Sequence, residues 1–274
     1  RHHFNIALAA PTGRAAKRLS EATGREAKTI HRLLEYSYLE ESTIMSFAKS
    51  EEDPLEADVV IIDEMSMVDV FLMNGLLRAI LPRTRLILVG DADQLPSVGP
   101  GNVLRDIIES GLVKVVKLDQ IFRQAQESMI IVNAHRINRG EYPYINQKEK
   151  DFYFISRRKP ENILQTIKDL CRERLPKFNC CDPIKEIQVL TPMKKGPVGM
   201  FHLNKELQAI LNPPGPEKQE KKLKDKIFRV GDKVMQIKNN YNLKWKKIDD
   251  QEEGEGIFNG DFGYIQAIDE EEKE

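Results

Sequence analysis

Four consecutive β-branched residues, Val59-Val60-Ile61-Ile62, end abruptly in two adjacent carboxylates, Asp63 and Glu64. An apolar run without alternation fits a strand covered on both faces, the environment of a parallel sheet. Open parallel sheets hold their ligands just beyond the carboxyl ends of the strands, so this run delivers two acids to a position where chemistry is done. Paired acids there suit metal-assisted phosphate chemistry. One carboxylate, Asp63, would hold Mg²⁺ directly or through water, and Glu64 would orient or deprotonate an attacking water. A polar strand-to-helix turn would use the same residues without any such role.

The patterning around that strand alternates. Strand-like segments at 5–10, 85–89 and 113–118 are interleaved with helical patterns at 14–22, 29–36, 68–80, 103–109 and 128–138. Such alternation predicts an α/β fold with a doubly wound parallel sheet. Two alternating pieces, 36–39 and 43–47, predict a small hairpin within an insertion near 36–56. Around 139–151 the pattern loosens into Gly, Pro, Asn and charged residues, which places a domain boundary there and divides the chain into 1–148 and 149–274. The second half restarts with strand patterns at 152–155, 187–190, 233–237 and 262–268 and helices at 161–175 and 200–211. Asn212-Pro213-Pro214-Gly215-Pro216 ends the last helix, 217–226 reads as an exposed loop, and 244–256 reads as a second polar insertion between strand patterns.

Composition narrows the function classes. With 274 residues and 41% hydrophobic content the chain buries a sizeable core. Its 42 basic and 43 acidic side chains nearly cancel, so a nucleic-acid surface requires local segregation of charge. That segregation exists: Arg1, Arg14, Lys17, Arg18, Arg25, Lys28 and Arg32 face only Glu21 and Glu26, whereas 35–58 holds a single base, Lys49. Cys171, Cys180 and Cys181 show no paired CxxC spacing, which argues against a zinc site or a disulfide framework and fits a reducing cytoplasm. No apolar run approaches the roughly 18 residues needed to cross a bilayer, and the first residues lack the order of a signal peptide, so no membrane partner is expected.

Two further motifs point to the same chemistry. Residues 85–91 form a second apolar run that ends in Gly90-Asp91, followed by Gln94, whose amide is able to hydrogen-bond both a γ-phosphate and the attacking water. Arg123, in Ile121-Phe122-Arg123-Gln124, offers a permanently charged fork that matches phosphate bidentately. Taken singly, the first is loop punctuation and the second a surface ion pair.

In these motifs, and in several more, the chain resembles the RecD/TraA family of superfamily 1 DNA helicases, nearest to the longer RecD-like enzymes that act without RecB and RecC. The resemblance runs through APTGRAAKRL (10–19), TIHRLL (29–34), DEMSMVD (63–69), GDADQLPSVGPG (90–101) and FRQ (122–124). It continues through LTPMKKGPVGMFHLN (190–204), GDKVMQIKNNY (231–241) and FNGDFG (258–263). The resemblance implies two RecA-like P-loop NTPase lobes with parallel sheets, both incomplete here, and an ATP-dependent motor moving 5′ to 3′ on single-stranded DNA in repair or recombination. ATP and Mg²⁺ would meet Asp63, Glu64, Gln94 and Arg123, with Asp63 the metal ligand. Pro11, Thr12 and Gly13 would contact single-stranded DNA from the first lobe, and Thr191, Pro192, Met193, Lys194 and Lys195 from the second. Asn239, Asn240 and Tyr241 would add hydrogen bonds and stacking. His31 would be either a DNA contact or a structural residue, Lys194-Lys195 otherwise a solvated turn, and Tyr241 otherwise a half-buried ring. The hairpin near 36–47 falls where the family carries a strand-separating pin, although here it is acidic and poor in aromatics.

Two departures stand out. No GxxxxGK[ST] occurs in the chain, and neither a VHKSQG-like turn nor a YTAxTRA-like segment follows 258–263. The expectation is therefore an internal piece of a larger helicase, inactive by itself. The alternatives are a non-catalytic single-stranded-DNA-binding module and the α subunit of an exodeoxyribonuclease V.

Overall fold

The structure, a computed structural model, describes residues 4–37, 46–118, 127–145, 147, 151–246 and 253–269. It divides into two compact units, Arg1–Phe122 with Gln236–Asp261, and Arg123–Met235 with Phe262–Glu274.

The first unit is built on a parallel sheet. Strands β1 (Ile6–Ala10), β2 (Ala27–Thr29), β5 (Val59–Ile62) and β6 (Arg85–Leu88) lie in the order β2-β1-β5-β6. Every pairing is parallel, with Ala10 opposite Thr29, Ala9 opposite Ile62 and Ile62 opposite Leu88. The helices that cover the sheet start where the sequence supplies caps. Thr12 Oγ1 accepts from the Ala15 N–H at 3.2 Å to open α1 (Gly13–Thr23), which Gly24 closes in the left-handed region at φ 66°. Thr29 Oγ1 accepts from the Arg32 N–H at 3.1 Å to open the short α2 (Ile30–Leu33), and Asp69 Oδ1 accepts from the Leu72 N–H at 2.8 Å to open α3 (Val70–Ala79). Ile30, Leu34, Val60, Ile62, Met65 and Leu76 are all fully buried between them. Each such side chain removed from water contributes roughly 1.5–3 kcal/mol. Along β5 only Val60 and Ile62 are buried, so one face of the strand is covered more deeply than the other.

Residues 36–37 and 46–47 pair antiparallel as β3 and β4, with Tyr36 opposite Phe47. The tip of that expected pin, 38–45, lies outside the described residues. The strand expected at 113–118 is not one. It has no ladder partner among the described residues, and Val116 and Leu118 are 76% and 94% exposed. A strand exists only where its backbone groups find a neighbour, and β6 is the sheet's edge among the described residues.

The second unit differs from expectation in the same way. Its described helices span Met129–Asn138, Pro160–Asp169 and Met200–Leu211, and the second of these continues through a π-helical turn, Leu170–Arg174, into Leu175–Asn179. The segments 152–155 and 187–190 form no strand, so a second parallel sheet is absent from the described residues. Antiparallel pairs occur instead: Glu220–Leu223 with Lys226–Arg229, and Lys233–Met235 with Phe262–Tyr264. In the first unit Asn240–Lys246 likewise pairs with Glu253–Ile257. The described residues of both polar stretches thus fall largely in hairpins. A two-stranded ribbon needs only a turn and matched cross-strand pairs, and here Lys224 at φ 54° supplies the turn while Glu220 faces Arg229. No described helix is long and apolar enough to cross a membrane.

Candidate functional site

Because the four strands run parallel, their carboxyl ends share one edge of the sheet, and nearly every candidate residue of the first unit sits there. β1 leads into Pro11, Thr12 and Gly13; β2 leads through Thr29 to His31; β5 leads into Asp63 and Glu64; β6 leads toward Gly90, Asp91 and Gln94. The tips are laced together by backbone hydrogen bonds. The Asp63 N–H donates to Ala9 O at 2.9 Å, the Val89 N–H to Ile62 O at 2.8 Å, and the Met65 N–H to Val89 O at 3.0 Å. Gly90 is held so close to this lacing that a Cβ on it would lie 2.9 Å from the Met65 nitrogen. Glycine is what allows the two strand tips to converge.

Asp63 and Glu64 are half-buried, and Asp63 Oδ1 accepts from the Glu64 N–H at 2.9 Å. Glu64 has left-handed backbone torsions, φ 54° and ψ 43°. Asparagine, aspartate and above all glycine tolerate that region better, so the turn after β5 is bent sharply to present its acid. Among the described residues no group of three or more His, Cys, Asp or Glu side chains could share a metal ion. The adjacent half-buried carboxylates of Asp63 and Glu64 fit Mg²⁺, which is commonly held by one or two carboxylates plus waters and substrate phosphates.

The Gln94 side chain is exposed, and its Nε2 lies 3.5 Å from Asp91 Oδ2, too far for a firm hold. The loop behind it is better tied. Asp91 Oδ1 accepts from the Asp93 N–H at 2.9 Å, and the Val70 N–H donates to Pro100 O at 3.0 Å. Gly99 packs directly on the Asp69 carboxylate. Asp69 thus caps α3 and seats the loop at once, a double role the sequence did not single out. Arg123 lies outside the described residues.

His31 is engaged in packing. Its half-buried ring stands edge-on to Tyr36 at 5.7 Å and tilted to Phe47 at 6.1 Å. Burial pushes its pKa below the ordinary value of 6.5, with Asp69 pulling weakly the other way. Gly13 is buried beneath Phe258, and the neighbouring Asn239 Oδ1 accepts from the Asn259 N–H at 2.9 Å. The candidate groups 11–13 and 239–240 are therefore neighbours within one unit, with Tyr241 next along the same strand. No local pattern foreshadows this, although FNGDFG was visible as a motif.

In the second unit, 191–199 curls over the start of the Met200–Leu211 helix. Thr191 Oγ1 donates to Val198 O at 2.9 Å, the Met200 N–H to Met193 O at 2.9 Å, and the Phe201 N–H to Lys194 O at 3.2 Å. Gly199 leaves no room for a side chain against the Lys195 backbone. Pro192, Lys194 and Lys195 are left exposed on the outside of this curl.

Residues 1–100 match the family described as an AAA domain, and residues 203–274 match the SH3 domain of ATP-dependent RecD-like DNA helicases. The ATP-dependent RecD2 DNA helicase of Deinococcus radiodurans is 37% identical over 262 residues, which cover 96% of this chain and 32% of that protein. The RecBCD enzyme subunit RecD of Mycolicibacterium smegmatis is 30% identical over 287 residues, covering 96% of this chain and 48% of the subunit. The chain thus spans 32% to 48% of the length of these curated relatives. A crystal structure of Pif1 helicase from Bacteroides, in complex with ADP-AlF3 and single-stranded DNA, aligns over 98% of this chain and 73% of its own. Its TM-score of 0.42 at 16% identity is too low to bear on the fold. With motifs shared along nearly its whole length, the chain belongs to the RecD-like DNA helicase family.

Proposed function

We propose that the whole protein is an ATP-dependent DNA helicase that moves 5′ to 3′ on single-stranded DNA. In this reading the chain contributes to two RecA-like lobes, 1–148 and 149–274, with 236–261 packed back onto the first. The observation that carries the proposal is the shared carboxyl edge, where one sheet gathers the 11–13 turn, the Asp63-Glu64 pair and Gln94. Family membership supports it independently.

The residues divide the work by position. Asp63, whose Oδ1 is anchored by the Glu64 N–H, would hold Mg²⁺. Mg²⁺ held there would supply positive charge against the phosphates. Glu64 accepts a proton from, or orients, the water that attacks the γ-phosphate. Gln94 is uncharged and loosely held, so it is able to turn between the γ-phosphate and that water and to report whether the phosphate is present. Arg123 adds positive charge for the transition state. The 11–13 turn, the 191–195 loop with Lys194 and Lys195, and Asn239, Asn240 and Tyr241 hold the DNA backbone and bases. His31 fits a structural role at the hairpin root better than a DNA contact.

The test is Glu64→Gln in the whole protein. A positioned general base is worth ~10²–10⁴-fold, so DNA-stimulated ATP hydrolysis should fall by that order while nucleotide binding persists. Unchanged hydrolysis would favour a non-catalytic DNA-binding module. Unwinding of duplexes tailed at the 5′ or the 3′ end then checks the direction.

A further inference from the structure

Gly13 is buried at the first position of α1, and its φ is not in the left-handed region, so its backbone does not require glycine. What excludes a side chain is Phe258. A Cβ on Gly13 would fall against Cβ, Cγ and Cδ1 of that ring. The ring itself belongs to a closed turn. The Phe258 N–H donates to Asp261 Oδ2 at 2.8 Å, and the Asp261 N–H donates to Phe258 O at 3.0 Å. Gly260, at φ 96°, donates its N–H to Gln236 O at 2.8 Å, and Gln236 returns its N–H to Asp261 O at 2.9 Å. Asn239 is tied to the same turn through the Asn259 N–H. A turn tied at this many points presents Phe258 as a fixed surface.

We infer that Phe258 is a positioning residue for the DNA grip: it seats on Gly13, sets the lie of the 11–13 turn, and joins that turn to Asn239 and Asn259. Those two asparagines are exposed beside it. Together they form one surface for the sugar-phosphate backbone of single-stranded DNA. The inference rests on the proposed reading of 11–13 as a DNA contact and adds what holds that contact in place. It also explains why Gly13 has to be glycine at a helical position that any residue adopts.

The experiment is a double-mutant cycle in the whole protein, with Gly13→Ala, Phe258→Gly and both together, plus Phe258→Leu and Phe258→Ala. Affinity for a labelled oligothymidylate is read by fluorescence anisotropy, and folding by circular dichroism melting. Gly13→Ala should weaken binding about tenfold in the presence of Phe258 and change it little in the Phe258→Gly background, which removes the Cβ along with the ring, because contacting residues couple by this order. Phe258→Leu should retain more affinity than Phe258→Ala. If Gly13→Ala fails to fold, the comparison of leucine with alanine at 258 decides. Strictly additive effects, or equal binding by the Leu and Ala variants, would overturn the inference and leave the DNA reading standing. Absence of oligothymidylate binding by the unmutated protein would overturn that reading, and the inference with it.

Discussion

The two units are held together by different means. The first hides Ile30, Leu34, Val60, Ile62, Met65 and Leu76, all at 0% exposure, whereas the second hides Asn133, Asn212 and Arg229 beside Cys171 and Leu203. In the second, Asn133 exchanges two hydrogen bonds with the Tyr144 backbone, at 2.8 Å from its Nδ2 and 2.7 Å to its Oδ1. Arg229 donates to Glu220 Oε1 at 2.5 Å and to the Asn212 carbonyl, and Asn212 Nδ2 donates to Asp232 Oδ1 at 2.8 Å. An apolar core tolerates small errors of direction because burial is non-directional. A polar one depends on each partner being present, since a buried group left unpaired costs its full desolvation.

This contrast can be broken by substitution. The largest effect is expected for Leu76→Ala, which opens a cavity in the first core and should cost about 3–4 kcal/mol in urea unfolding. A cost below about 1 kcal/mol would mean that the core collapses around the gap. Next is Arg229→Ala, which strands Glu220 and the Asn212 carbonyl. A broken buried ion pair costs about 3–5 kcal/mol. The value here belongs at about 2–3 kcal/mol, because the Glu220 side chain is 34% exposed and water screens it. Arg229→Met should recover part of that loss by filling the space. If methionine proved as harmful as alanine, packing would not contribute and hydrogen bonding alone would hold the second unit.

The smallest effect is a pH dependence confined to the first unit. Burial lowers the His31 pKa in the folded chain below 6.5, so the unfolded chain binds the proton more readily. The contribution of His31 is complete above the unfolded value and declines as the pH falls below it toward the folded value. Melting temperatures recorded across that interval should drop less for His31→Gln than for the unmutated chain. Equal slopes would show that His31 is not neutral in the fold.

The same contrast explains what the sequence revealed. β5 with its two acids and the parallel sheet follow from apolar runs and their alternation with helical segments, which are local signals. The segment 113–118 has the right residues for a strand, but strand formation depends on a neighbour that no local pattern guarantees. The hairpins at 220–229 and 240–257 were concealed by lysine and glutamate, whose pairing across a ribbon leaves no apolar alternation. The polar ties of the second unit, and Phe258 on Gly13, join residues far apart in the chain. Contacts of that kind leave no periodicity to read. Of the nucleotide-site candidates, Asp63, Glu64 and Gln94 were legible as a group because parallel strands must end on the same side.

The sharp bend at Glu64 has a consequence for anyone improving this protein. Glutamate in that conformation costs about 1 kcal/mol relative to glycine, which enters it freely. A selection for heat tolerance alone would therefore enrich Glu64→Gly and yield sturdier scaffolds stripped of the proposed water-orienting carboxylate. Libraries aimed at durability should hold that codon fixed.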